Sequence, residues 1–139
     1  MDTRTEMRDH LRDLGLRATS PRLAVLSTLH DHAAPLSHEA LMERLGDFDR
    51  ATVYRILSDL FQAGLLRRMD LGDHIWRFEL LDTCRTVRDD HAHFLCTACG
   101  EVTCLPELEL RATRGPLPAA LQGAEITLRV SGRCAECVA

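Results

Sequence analysis

Two Cys-x-x-Cys motifs, Cys96-Thr-Ala-Cys99-Gly100 and Cys134-Ala-Glu-Cys137, constrain this chain more than any other feature. Two residues between cysteines let both sulfurs grip one ion from a single tight turn, and Gly100 frees the backbone just behind the first pair. Two such pairs, brought together by folding, form the tetrahedral thiolate cage that zinc prefers. A structural Zn2+ on Cys96, Cys99, Cys134 and Cys137 is therefore expected. The plainer alternative is two redox-active or unpaired thiol pairs. The sequence has no secretory leader pattern and no long apolar run, so a soluble, cytoplasmic protein without a membrane partner is expected. In that compartment cysteine pairs read as metal ligands before they read as disulfides. Aromatic residues make up 4% of the chain. Neither half can build a large core, and a metal cage is a remedy for the C-terminal part.

The cage leaves ligands to spare. His91 and His93 stand two apart just before it, so on a strand both side chains point to one face. Cys84 and Cys104 are also outside the cage. These four are either surface histidines and buried apolar cysteines, or a second metal site with an exchangeable ion.

The N-terminal half reads differently. Met7, Leu11 and Leu14 fall at helical spacing within residues 3–14, ended by Gly15. Ser20-Pro21 starts a helix to about Asp31, with Ser20 as its cap and Pro21 at the first position. Ser37 caps a short helix over 41–45, ended by Gly46. Asp49 caps a further helix from about Arg50 to Ala63, ended by Gly64. Residues 65–69 and 75–80, joined by a turn at 70–73, read as a β-hairpin. Short helices followed by a hairpin is the order of a winged helix-turn-helix, in which one helix enters the major groove and the hairpin touches backbone. Arg50, Thr52, Tyr54 and Arg55, on the first turns of the helix that starts at Arg50, suit that role. Arginine reads guanine with two hydrogen bonds, and hydroxyl side chains reach phosphates. The alternative is a helical bundle with a solvated charged face. The net charge of −4 argues against coating nucleic acid by charge alone and favours a local arginine patch under a switch.

Beyond polar residues 81–90, which read as a hinge, the pattern is mostly β. Strands are expected over 91–96, 101–105, 108–112 and 126–130, with one helical turn at 118–122. The last strand delivers Cys134 and Cys137.

At this point the chain resembles the ferric uptake regulator family of bacterial metal- and peroxide-responsive repressors. The matching elements are Leu16-Arg-Ala-Thr-Ser-Pro-Arg22, Ala51-Thr-Val-Tyr-Arg55, Arg77-Phe-Glu-Leu80, His91-x-His93-x-x-Cys96-x-x-Cys99-Gly100 and Gly132-x-Cys134-x-x-Cys137. The resemblance implies an α+β chain. A winged-helix DNA-binding domain spans 1–80, the hinge 81–90, and a small α/β dimerisation domain with the four-cysteine zinc site 91–139. It implies a homodimer on double-stranded operator DNA. It carries Arg17 to a phosphate-contacting segment, Tyr54 and Arg55 to the DNA-contacting helix, and Glu79, His91 and His93 to a sensing site. The chain departs from the family where a loop histidine is usual. Ala34-Pro35 stand there, leaving His32 as the neighbouring substitute. Cys104 stands where many members carry an acid, and Glu125 stands near the place of a missing histidine. The family's long dimerisation helix is not evident over 106–120, which hold three prolines.

Some zinc-sensing members use a cysteine in the region of Cys84. A site of Cys84, His91 and His93, completed by Glu79, His74 or Cys104, is softer than an all-N/O site. Such a site favours Zn2+ over Fe2+ or Mn2+ as the second, regulatory ion. The reading is a zinc-responsive repressor of metal-uptake genes. The alternatives are an iron- or peroxide-sensing repressor, a thiol switch between Cys84 and Cys104, and a zinc-ribbon interaction module without DNA binding. No nucleophile–base–orienter set stands apart from the metal ligands, so an enzyme is not expected.

Overall fold

The computed structural model describes residues 3–32, 34–81, 92–124, 126 and 128–139. The chain divides into two compact units, Met1–Thr83 and Cys84–Ala139. The hinge expected at 81–90, with Cys84, and also His91, falls almost wholly outside the described residues.

In the first unit the elements run α1 (Thr3–Asp13), α2 (Ser20–Asp31), β1 (Leu36–Ser37), α3 (His38–Leu45), α4 (Arg50–Gln62), β2 (Leu66–Asp70) and β3 (Trp76–Leu80). The leucine spacing of α2 and α4 delivers Leu23, Leu26, Leu29, Val53, Ile56, Leu57 and Leu60 to one buried core with Leu11 and Leu41. Local signals set the helix ends. The Ser37 hydroxyl accepts from the Ala40 N–H at 3.1 Å, and Gly46 closes α3 at φ 69°. At α2 the cap is Thr19 rather than Ser20, which is the first helical residue. The Thr19 hydroxyl accepts from the Arg22 N–H, which lies three residues on as a capping bond requires. Asp49 starts α4 without capping a backbone N–H, its carboxylate accepting instead from the Thr52 hydroxyl.

The hairpin pairs β2 with β3 antiparallel, Arg68 opposite Phe78 and Asp70 opposite Trp76. β1, which the sequence did not announce, adds to β3 and gives the strand order β1-β3-β2. Alternation assigns the faces. Leu66, Phe78 and Leu80 join the helical core, and the opposite face carries Arg67, Met69, Arg77 and Glu79.

The second unit is a sheet ordered β5-β4-β6, with β4 at Ala92–Cys96, β5 at Val102–Leu105 and β6 at Arg129–Gly132. β5 runs antiparallel to β4, and β6 parallel to it. A single 3-10 turn, Ala119–Leu121, and the four-residue α5, Ala135–Val138, complete it. Two expectations fail here. Residues 108–112 form no strand, because their alternating leucines have no sheet face to pack on: Leu108 and Leu110 remain half exposed. The final strand is Arg129–Gly132 rather than 126–130, because its register is fixed by pairing Val130 with Phe94 and Gly132 with Cys96. Among the described residues, Ala92, Leu95, Cys96 and Val102 are the buried apolar side chains of this unit, far fewer than in the first.

Candidate metal centre and nucleic-acid interface

The thiol cage follows from strand register. Cys96 ends β4 opposite Gly132 of β6, so the chain leaves both strands at the same end of the sheet. The Thr97 N–H donates to the Gly132 carbonyl at 2.7 Å and ties the two exits together. The first turn closes when the Gly100 N–H reaches the Cys96 carbonyl at 2.9 Å with Gly100 at φ 76°, a conformation that suits glycine. After Gly132 the chain turns into α5, with Cys134 as its N-cap residue and Cys137 within it.

The four sulfurs of Cys96, Cys99, Cys134 and Cys137 all lie within 4.8 Å of one another, and Cys99 Sγ stands 4.0 Å from Cys134 Sγ. A tetrahedral ion with Zn–S bonds of about 2.3 Å would hold its sulfurs about 3.8 Å apart, so the donor set fits with little movement. Cys96 is 1% exposed. Its sulfur accepts the backbone N–H groups of Cys99 and Cys134, each at 3.4 Å. Those donors favour the thiolate and draw the Cys96 pKa down to about 6. Its neighbours work the other way on Cys137. Hydrogen bonding with the sulfurs of Cys134 and Cys96 pushes it up to about 12. Four thiolates this close need a cation to hold them together, so loading the cage releases protons.

Within the second unit, the structure brings two members of the second ligand set together. His93 of β4 is directly opposite Cys104 of β5, with a ring nitrogen within 4.8 Å of the sulfur. His93 is buried and Cys104 half buried. Cys84 and His91 lie outside the described residues. Glu79 belongs to the first unit, on β3, where its carboxylate pairs with Arg67 at 3.2 Å. His74 sits in the hairpin turn at φ 62° with an exposed ring. His32 is half buried at the end of α2.

The residues expected at a DNA interface occupy α4 and the connector before α2. Tyr54 is 66% exposed, an unusual position for a ring that has an apolar core beneath its own helix. His38 meets it edge-on with centroids 6.1 Å apart, and the His38 ring nitrogen bonds the Arg50 carbonyl at 3.1 Å. Arg50, Ala51, Tyr54, Arg55, Ser58 and His38 line one open groove. Arg50 pairs with Glu39, which holds it against α3. Thr52 donates to Asp49. Arg17 is exposed, and its carbonyl accepts from Arg22 at 2.9 Å. Arg22 also pairs with Asp59 of α4 at 3.4 Å. Arg22, which the sequence shows only as the end of the Leu16–Arg22 element and without a role, fastens the Arg17 connector to α4. Its signal was there in Ser20-Pro21-Arg22, an arginine in the first turn of a helix where no dipole argument places one.

Comparison with known proteins agrees with this architecture. The ferric uptake regulator family pattern matches residues 13–119. The ferric uptake regulation protein of Neisseria meningitidis serogroup A is 32% identical over 139 residues, covering 93% of this chain and 91% of that one. The crystal structure of the Vibrio cholerae ferric uptake regulator superposes with a TM-score of 0.66 at 26% identity, covering 91% of this chain and 98% of that one. A zinc-bound manganese uptake regulator shares the fold at a TM-score of 0.70 and 22% identity, covering 96% and 99%. Among the described residues no helix is long and apolar enough to cross a membrane. The chain belongs to the ferric uptake regulator family and is a metal-responsive, DNA-binding transcription regulator rather than an enzyme.

Proposed function

We propose that this chain represses metal-uptake genes from the cytoplasm, as a homodimer on operator DNA, with Zn2+ as co-repressor. Its DNA-binding domain is 1–80, its hinge 81–90 and its dimerisation and metal domain 91–139. Cys96, Cys99, Cys134 and Cys137 hold a structural Zn2+. His93 and Cys104, with Cys84, His91 and Glu79, supply the ligands of a second, exchangeable divalent ion. Arg17, Arg50, Thr52, Tyr54 and Arg55 face DNA.

One observation carries the choice of zinc: the opposition of His93 and Cys104 across β4 and β5. An imidazole beside a thiol is a borderline-soft donor pair that suits zinc, whereas iron and manganese sites lean on imidazole and carboxylate. The family likeness does not choose the metal, since a structural relative named for manganese uptake is itself zinc-bound. When bound, the second ion supplies positive charge and fixed ligand directions. His93 contributes a neutral ring nitrogen, and Cys104 a sulfur that gives up its proton on loading. Loading shifts the population toward the DNA-competent form by its difference in affinity for the two forms, a coupling of about 1–3 kcal/mol in typical systems.

The test uses an operator selected from random duplex DNA by the zinc-loaded protein. His93→Ala and Cys84→Ser should keep the fold and one tight zinc yet lose metal-dependent operator binding. Unchanged zinc-dependent binding in both variants would remove the sensing assignment. Operator binding restored by Fe2+ or Mn2+ but not by Zn2+ would replace zinc as the co-repressor.

A further inference from the structure

The hairpin carries an arginine that the interface residues above do not include. Arg68 lies on β2, on the face that inward holds Leu66 and Phe78. Farther out, that face has left the core. There the Arg68 guanidinium is clamped between two rings, 4.6 Å from the Phe61 centroid and 4.2 Å from that of Trp76. Phe61 comes from α4, whereas Trp76 is the diagonal neighbour across the hairpin. Both rings stand partly in water, Phe61 37% and Trp76 51% exposed.

Nothing in packing alone explains this group. Arg67, Arg77, Arg50 and Arg22 each pair with a carboxylate. Among the described residues Arg68 has no carboxylate partner; its charge meets only the π faces of two rings. Such contacts fix a guanidinium's direction and leave its N–H donors open. The Arg68 clamp lines the same groove as Tyr54, His38 and Ser58. That groove continues from the α4 face already assigned to DNA.

We infer that Arg68 is a phosphate contact of the hairpin wing, held ready by Phe61 and Trp76 and set beside the α4 residues that meet the duplex. The occupant is the duplex backbone, because an uncompensated guanidinium with open donors complements a phosphate in charge and geometry. A rigid clamp also lowers the entropy lost when the contact forms. Trp76 and Phe61 are positioning residues acting through Arg68. This inference rests on the reading of α4 as the DNA-facing helix.

The test measures binding of the intact, zinc-loaded chain to a mixed-sequence 30-base-pair duplex across a salt series. One phosphate contact contributes about 0.9 to the slope of log affinity against log salt. Arg68→Ala should therefore reduce that slope by about 0.9 and weaken binding about eightfold at 0.1 M salt, uniformly across sequences. Trp76→Phe, which keeps a π face, should retain the contact, and Trp76→Ala should lose much of it. Arg55→Ala is the control on the underlying reading. Weakened binding in Arg55→Ala with an unchanged slope in Arg68→Ala would overturn the inference alone. Unchanged binding in both variants would overturn the α4 reading as well. A full salt slope in Trp76→Ala would refute the clamp as the positioning device. Capture of an acidic peptide by the groove, with Arg68→Ala DNA binding unaltered, would assign the site to a protein partner and overturn the inference.

Discussion

The hairpin wing should be sensitive to one substitution, Asp73→Asn. Asp73 sits in the turn between β2 and β3 and accepts from three donors. Arg77 Nη1 lies 2.9 Å and Nη2 2.8 Å away, and the Ile75 N–H donates at 3.2 Å. Arg77 is 5% exposed, so its charge depends on this carboxylate. Asparagine keeps one acceptor but removes the charge and the second oxygen of the fork. Hydrogen bonds to charged groups contribute about 1.5–3 kcal/mol each. Stranding a fully buried charge costs about 3–5 kcal/mol. The Asp73 side chain is 26% exposed, which admits water to the pair and places the expected loss near the lower range, about 2 kcal/mol. In a unit of this size that lowers the melting temperature by about 8–16 °C. Trp76, the chain's single tryptophan, lies in the same hairpin and reports the transition by fluorescence. The pH dependence carries a sign. The hydrogen bonds from Arg77 hold the Asp73 carboxyl below the usual carboxylate range. Its contribution is therefore fully present above the unfolded-state pKa of about 4 and is lost as pH falls through the lower folded value. Wild type should lose this increment on acidification, and Asp73→Asn should lack it at every pH. A loss under about 0.5 kcal/mol, or an unchanged acid response, would refute the claim that this pair secures the wing.

Two further outcomes follow from packing and from the cage. Leu57→Ala, at a side chain 1% exposed on α4, should cost about 2–5 kcal/mol, read by urea unfolding of the intact chain; a loss under about 1 kcal/mol would contradict the core assigned here. Cys96→Ser should abolish tight zinc retention and unfold the second unit while the Trp76 transition of the first survives. A folded second unit in that variant, seen as retained β4–β5 amide protection, would show that the cage is not what holds it.

The helices of the first unit were legible because local chemistry and long-range packing agree there. Leucine periodicity, Ser37 and Gly46 each state a boundary that the core then satisfies. The cage was legible because Cys-x-x-Cys spacing is itself a geometry. What escaped was whatever depends on a partner far away in sequence. β1 is two residues long and exists only because β3 offers Phe78 and Arg77 to Leu36 and Ser37. Leu108 and Leu110 alternate like a strand but find no face, since periodicity reports amphipathicity and not the availability of a neighbour. The opposition of His93 and Cys104 needs the β4–β5 register, which a one-residue slip would have undone. The Arg68 clamp is invisible in sequence for the same reason, because Phe61 and Trp76 belong to different elements.

The central claim is that one metal builds the C-terminal unit and a second governs DNA binding. The direct measurement is metal content per chain before and after mild chelation, with operator binding followed on the same samples. The account predicts one zinc retained throughout and a second zinc whose removal ends operator binding and whose return restores it. A single tight zinc with no exchangeable partner, and operator binding indifferent to chelation, would contradict it.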